Sequence, residues 1–191
     1  MAYVLDDITF RQIRDFIYEK SGIFVSDYKK YLIENRLARR IEENKLKGFE
    51  DYLDFLKFSA NESELIKLFD AITTNETYFF REQQHFDVLL NNIIPSIIQK
   101  KKTNSISIWS AACSTGEEPY TIAMLLKEVS HIRHEVIASD ISLSCLESAK
   151  RGAYDSYSVR NVPENFFKRY FRQNEQFYEI DPSIKKLVKF R

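Results

Sequence analysis

Glycine is scarce in this chain, with four in 191 residues: Gly22, Gly48, Gly116 and Gly152. A glycine-rich dinucleotide fingerprint or P-loop needs several glycines close together, so neither can be written anywhere. Cysteine is as sparse. Cys113 and Cys145, with His85, His131 and His134, offer no zinc-ligand spacing, so no metal is expected and the thiols read as small, reduced, buried apolar residues. No apolar run approaches the ~18 residues that a membrane span needs. Residues 1–7, Met-Ala-Tyr-Val-Leu-Asp-Asp, lack the basic and apolar regions of a secretion signal. A cytoplasmic protein with no direct membrane insertion is expected. An excess of either charge is missing too: 28 basic against 28 acidic side chains leave no net charge, which argues against a nucleic-acid partner. What is present is ordinary for a globular chain, 44% hydrophobic and 29% charged, long enough for one medium domain or two small ones.

The first hundred residues read as helices. Thr9-Phe10-Arg11-Gln12 has capping-box spacing before apolar Ile13, Phe16 and Ile17, and Gly22 ends that run. A second helix is expected over residues 28–47, with Ile33, Leu37 and Ile41 on one stripe. Two shorter helices follow, and another is expected from near Thr77, stopped by Pro95. After the polar break Lys100-Lys101-Lys102-Thr103-Asn104-Ser105 the pattern changes. Residues 106–112 and 135–139 read as buried strands, each followed by a helix, over 117–129 and 144–150. Strand, helix, strand, helix at this spacing opens a parallel, doubly wound sheet. In the tail, Pro163 opens an aromatic helix, and residues 177–180 and 187–190 read as two strands of an antiparallel pair. Two parallel strands are too few for a stable open sheet, so the chain is expected to be a fragment of something longer.

Open α/β sheets bind ligands in the crevice at the carboxyl ends of their strands. Here that place is Ala111-Ala112-Cys113-Ser114-Thr115-Gly116-Glu117-Glu118-Pro119-Tyr120. Glu117 and Glu118 stand in a first helical turn, where the macrodipole alone favours carboxylates. The same two acids repel a phosphate from a helix start that would otherwise attract one. A ligand with positive charge or hydroxyl donors gains instead. Asp140, at the end of the second strand, suits ribose hydroxyls, or else caps the next helix. S-adenosylmethionine has a ribose diol, a sulfonium and an ammonium, and meets both demands; NAD and ATP do not.

The stretch Thr73-Thr74-Asn75-Glu76-Thr77-Tyr78-Phe79-Phe80-Arg81-Glu82 joins the two halves. Its apolar Phe pair could anchor a segment whose Asn75, Thr77 and Arg81 line a cleft, the Arg fork taking a ligand carboxylate. The plainer reading is a helix start capped by Thr77 with Arg81 solvated. Between Lys29 and Lys47, seven basic residues face three acids, and Arg36, Arg39 and Arg40 share a flank beside the apolar stripe. That flank is either a solvated face, with Arg39 and Glu43 paired, or a surface for an acidic partner.

Four blocks in this order, Asn35-Arg36-Leu37-Ala38-Arg39-Arg40, Thr73 to Glu82, Trp109 to Tyr120, and Ala138-Ser139-Asp140-Ile141, resemble the chemotaxis receptor methyltransferase (CheR-type) family. The resemblance implies a small all-helical N-terminal domain, expected here over 1–85. It implies a Rossmann-like S-adenosylmethionine-binding α/β domain over 86–191, incomplete, with an antiparallel β-subdomain near 172–191. It implies O-methylation of glutamate side chains of chemoreceptors, with S-adenosylhomocysteine as product, or an inactive receptor-docking or regulatory module of the same family. Asn75, Thr77, Arg81, Ala111, Glu117 and Asp140 would then hold the cofactor, with Arg81, near the methionine carboxylate, as the candidate catalytic residue. Arg36, Arg39 and Arg40 would contact the cytoplasmic methylation region of the receptor, and the protein is expected to be a monomer.

Overall fold

In the computed structural model, described for residues 3–129 and 133–191, the chain divides into two compact units, 1–74 and 75–191. His131 lies outside the described residues.

The first unit is helical. Helix α1 (Asp7–Ser21) is capped by Asp6, whose carboxylate accepts from the backbone N–H groups of Ile8 and Thr9, both at 2.9 Å. Thr9, expected to cap, is buried instead, because the Asp6 carboxylate already takes the orphan donors of the first turn. Gly22 closes the helix in the left-handed region, φ 74°, its N–H on Tyr18 O at 2.8 Å. A 3-10 turn (Asp27–Lys29) leads into α2 (Lys30–Glu43), followed by α3 (Phe49–Phe58) and α4 (Glu62–Ile72). Ile33, Leu37 and Ile41 are buried as their spacing predicts, packed with Phe10, Ile13, Ile17, Tyr52, Leu53 and Leu68. Each such aliphatic side chain contributes roughly 1.5–3 kcal/mol by leaving water.

The second unit begins at Asn75, ahead of the boundary expected at 85, because Phe79 and Phe80 are buried in its core. Residues 73–78 form no helix. The helix expected from Thr77 begins as α5 (Gln83–Val88), continues through a π turn (Leu89–Ile93) and runs on as α6 (Ile94–Lys101). Pro95 does not stop it. It stands directly after the π turn, where the i→i−4 ladder is already interrupted by the Ile94 N–H bonding Leu89 O.

Strand β1 (Ser105–Ala111), helix α7 (Glu117–Glu128), strand β2 (Arg133–Ser139) and helix α8 (Leu143–Arg151) follow in the expected alternation. Next come β3 (Ala153–Tyr154), α9 (Ser156–Val159), α10 (Glu164–Tyr170), β4 (Phe171–Asn174), β5 (Phe177–Ile180), α11 (Pro182–Lys185) and β6 (Val188–Phe190). The parallel sheet has the order β1-β2-β6, with Ala111 opposite Ser139 and Val136 opposite Val188. The antiparallel sheet has the order β3-β5-β4.

Residues 188–190 therefore do not pair with 177–180 as expected. The turn α11, capped by Asp181 and tied by Ile184 N–H to Asp181 O at 2.9 Å, replaces a tight hairpin and carries the chain to the far side of β2. Val188 meets Val136, and the antiparallel subdomain spans 153–180 instead of 172–191. No described helix is long and apolar enough to cross a membrane.

Candidate functional site

The carboxyl ends of β1 and β2 lie side by side, and the chain leaving β1 is forced into an unusual path there. Ala112, Ser114 and Gly116 all have positive φ, 56°, 49° and 94°. For the two non-glycine residues this is strained backbone, of order 1–3 kcal/mol each, of the kind that persists only where surrounding contacts enforce it. Those contacts are present. Cys113 N–H donates to Ser139 O at 3.0 Å, Ser114 N–H to Asp140 Oδ2 at 2.7 Å, and the Tyr154 hydroxyl to Thr115 O at 2.8 Å. Gly116 is required on two grounds: its φ, and a Cβ there would stand 2.8 Å from that of Ala149 on α8.

Asp140 joins the two loops at this end of the sheet. One oxygen accepts from Ser114 N–H and the other from Ser142 N–H at 2.9 Å. It does not cap α8; Ser142 does, accepting from Cys145 N–H at 3.1 Å. Each Asp140 oxygen keeps lone-pair capacity for a further donor such as a ribose hydroxyl. Ala111 ends β1 exposed beside this turn.

Glu117 opens α7 and is 1% exposed. Its Oε2 accepts from Thr115 Oγ1 at 2.7 Å, and among the described residues no Lys, Arg or His forms an ion pair with it. Burial pushes its carboxyl above the usual range, against the pull of the Thr115 hydroxyl. Glu118, by contrast, is exposed and accepts from Ser110 Oγ at 2.6 Å, a structural tie between helix and strand. Cys113 is a free, buried thiol pushed up to about 12 chiefly by burial, which leaves it protonated and inert.

Residues 75–82 run along this end of the unit as a strap. Ser114 Oγ donates to Asn75 O at 2.9 Å, Phe79 N–H to Ser158 O at 3.0 Å, and Phe80 N–H to Thr121 Oγ1 at 3.2 Å. Phe79 meets Tyr154 and Phe171 edge-on with ring centroids 4.7 and 5.0 Å apart. Thr77, half-buried, is no helix cap, since α5 starts only at Gln83. Arg81 is exposed and donates to Glu76 O at 2.9 Å; among the described residues it forms no ion pair. Ser114 thus links strap, loop and Asp140, a role that nothing in its sequence surroundings signalled.

Residues 75–191 match the family described as "CheR methyltransferase, SAM binding domain", and residues 8–73 the one described as "CheR methyltransferase, all-alpha domain". The chain belongs to the CheR methyltransferase family. Similar proteins include the chemotaxis protein methyltransferase of Borreliella burgdorferi, 40% identical over 184 residues, covering 92% of this chain and 65% of the relative. Chemotaxis protein methyltransferase 2 of Vibrio cholerae is 36% identical over 192 residues, covering 98% and 67%. The Escherichia coli chemotaxis protein methyltransferase is 37% identical over 170 residues, covering 87% and 57%. The chain therefore spans about two thirds or less of the length of these relatives.

The residues of this CheR chain fit S-adenosylmethionine on their own chemistry. A buried carboxyl without an ion pair among the described residues suits the ammonium, an acid with spare lone pairs suits the ribose diol, and no basic group in the loop invites a phosphate.

The basic flank of α2 is largely committed elsewhere. Arg40 is 7% exposed and forms a fork with Glu64, Nε to Oε1 at 3.0 Å and Nη2 to Oε2 at 2.5 Å, while Tyr52 OH donates to the same Oε1 at 2.9 Å. Arg40 also donates to Glu43. Its expected place on a partner surface is thus corrected: at this helical position the side chain turns inward, where Glu64 on α4 neutralises it. Arg36 donates to Ile72 O at 2.5 Å, Thr73 O at 3.1 Å and Thr74 Oγ1 at 3.0 Å, closing the carbonyl end of α4. Of the three, Arg39 alone stays outward, its side chain 84% exposed and paired with Glu43.

Proposed function

We propose that this chain carries the cofactor site and part of the substrate surface of an S-adenosylmethionine-dependent protein-glutamate O-methyltransferase acting on chemoreceptors in the cytoplasm. One observation supports it most: the buried Glu117 carboxyl, without an ion pair among the described residues, set beside a strained loop that Asp140 pins. Glu117 would take the methionine ammonium, Asp140 the ribose hydroxyls, and Arg81 the methionine carboxylate, with Asn75, Thr77 and Ala111 completing the pocket. Bound there, the cofactor supplies a methyl group activated on a sulfonium.

The residues of the chain have few further tasks. A receptor glutamate has an ordinary pKa near ~4.3 and is already an anionic nucleophile at neutral pH, so no general base is required. Glu117, Asp140 and Arg81 orient, and the tethered strap and the ring cluster of Phe79 exclude water. With Arg36 and Arg40 committed within their own unit, attraction of an acidic receptor helix falls to exposed Arg39, Lys29, Lys45 and Lys47.

The test is a calorimetric titration with S-adenosylhomocysteine, with ATP as competitor. Trp109 is the sole tryptophan, 68% exposed and hydrogen-bonded to Ser139 at 3.0 Å, so its emission reports on the same end of the sheet. Glu117→Gln is expected to bind at least about tenfold more weakly. Displacement by ATP at comparable concentration, or full affinity in Glu117→Gln, refutes the site. Labelled S-adenosylmethionine and a receptor methylation fragment then test for base-labile methyl esters on glutamates.

A further inference from the structure

Three side chains of the second unit form a stack that the cofactor reading does not use. The Arg160 guanidinium carbon lies 3.7 Å from the ring centroid of Tyr78 and 3.6 Å from that of Tyr157, between the two. Its Nη1 donates to Tyr157 O, on the last turn of α9. The Tyr157 hydroxyl donates to Glu76 Oε1 at 3.0 Å, and Glu76 O in turn accepts from Arg81 at 2.9 Å. Arg81 itself lies 5.8 Å from the Tyr78 ring centroid.

Residues 75–78 of the strap belong to no helix or strand. Its backbone is tethered at Asn75, Phe79 and Phe80. Between them the Glu76 carboxylate reaches Tyr157 of α9, and the Tyr78 ring, two residues on, reaches Arg160. A planar guanidinium can lie flat on two rings at once, which a compact ammonium cannot.

We propose that Arg160 is a positioning residue: stacked between Tyr78 and Tyr157, it sets the strap so that Asn75, Thr77 and Arg81 present their polar groups to the cofactor. The inference rests on the reading of those three residues as pocket residues. It assigns no contact with the cofactor to Arg160 itself.

Two readouts separate it from that reading. Arg160→Ala, Arg160→Lys, Tyr78→Ala and Tyr78→Phe are made in the chain as it stands. Amide hydrogen exchange is followed over residues 75–82 without ligand, and S-adenosylhomocysteine affinity by calorimetry. Arg160→Ala and Tyr78→Ala are expected to speed strap exchange about tenfold, leave β1 and β2 amides unchanged, and weaken binding about tenfold. Tyr78→Phe keeps its ring and should match the parent chain in both. Arg160→Lys should recover little of either loss. Unchanged strap exchange in Arg160→Ala, or full recovery by Arg160→Lys, overturns the proposal. If the parent chain binds no S-adenosylhomocysteine, the pocket reading fails together with the cofactor half of this inference. The exchange result then still decides whether the stack orders the strap.

Discussion

Replacing Arg40 by alanine should damage the helical unit far more than replacing its neighbour Arg39. Arg40 and Glu64 side chains are 9% and 6% exposed, their pairing is a two-point fork, and the Tyr52 hydroxyl shares the same carboxylate. Arg40→Ala leaves that carboxylate buried without its cation, a loss of about 3–5 kcal/mol by comparison with other buried pairs broken on one side. A unit of this size has a total stability of roughly 4–11 kcal/mol, at about 0.05–0.15 kcal/mol per residue. The loss is therefore between about a quarter and all of the stability of the first unit. At ~4–8 °C per kcal/mol its melting point should drop by more than about 12 °C. Hydrogen exchange of α2, α3 and α4 peptides, read together with urea unfolding by circular dichroism, separates this unit from the other. The double variant Arg40→Met/Glu64→Leu leaves no uncompensated charge and should recover part of the loss, the remainder being the buried Tyr52 hydroxyl deprived of its acceptor. Arg39→Ala, at an exposed site, should leave the midpoint where it was. An Arg40→Ala chain as stable as the parent would refute the account and return Arg40 to a partner surface.

Three other perturbations bear on the site and its supports. Gly116→Ala must relieve both a φ of 94° and a 2.8 Å approach to Ala149, and should lose about 1–3 kcal/mol of stability along with cofactor affinity. Adding Ala149→Gly removes the 2.8 Å contact but leaves the Tyr154 hydroxyl 3.1 Å away and places a glycine inside α8, so relative to the Ala149→Gly single variant it should recover only part of the loss in urea midpoint. Glu117 has a folded pKa above its ordinary value of 4.5, so the native state holds the proton longer than the unfolded chain. Its contribution to stability is present below 4.5 and is lost as pH rises through the folded value. An ammonium favours the ionised form, so ligand affinity should increase across that same window with release of a fraction of a proton. Calorimetry in buffers of different ionisation enthalpy measures this; equal proton release by Glu117→Gln would contradict it. Arg36→Ala strips the Ile72 and Thr73 carbonyls of their donor and should destabilise the end of α4 by about 1–3 kcal/mol, visible as faster exchange there. A purely receptor-binding Arg36 would leave that exchange unchanged.

Sequence alone determined those features that arise from local periodicity and from the chemistry of adjacent residues. The apolar stripe of α2, the alternation of β1, α7, β2 and α8, and the placing of Glu117 and Asp140 at the strand ends all follow from which residues stand three, four or two apart. Tertiary structure decided what each polar group does once neighbours distant in the chain arrive. Arg36, Arg39 and Arg40 share a flank on paper, yet Arg36 closes α4, Arg40 is neutralised by Glu64, and only Arg39 faces water. Residues 188–190 read as a hairpin partner of β5, but the turn at α11 and the free edge of β2 made them a parallel strand. Thr77 carries a capping residue's chemistry, yet the burial of Phe79 and Phe80 holds its segment as a strap. The physical reason is common to all: periodicity fixes which face is apolar, whereas a charge or backbone edge is committed by whichever complementary group comes within hydrogen-bond distance. That group is set by the packing of the whole unit.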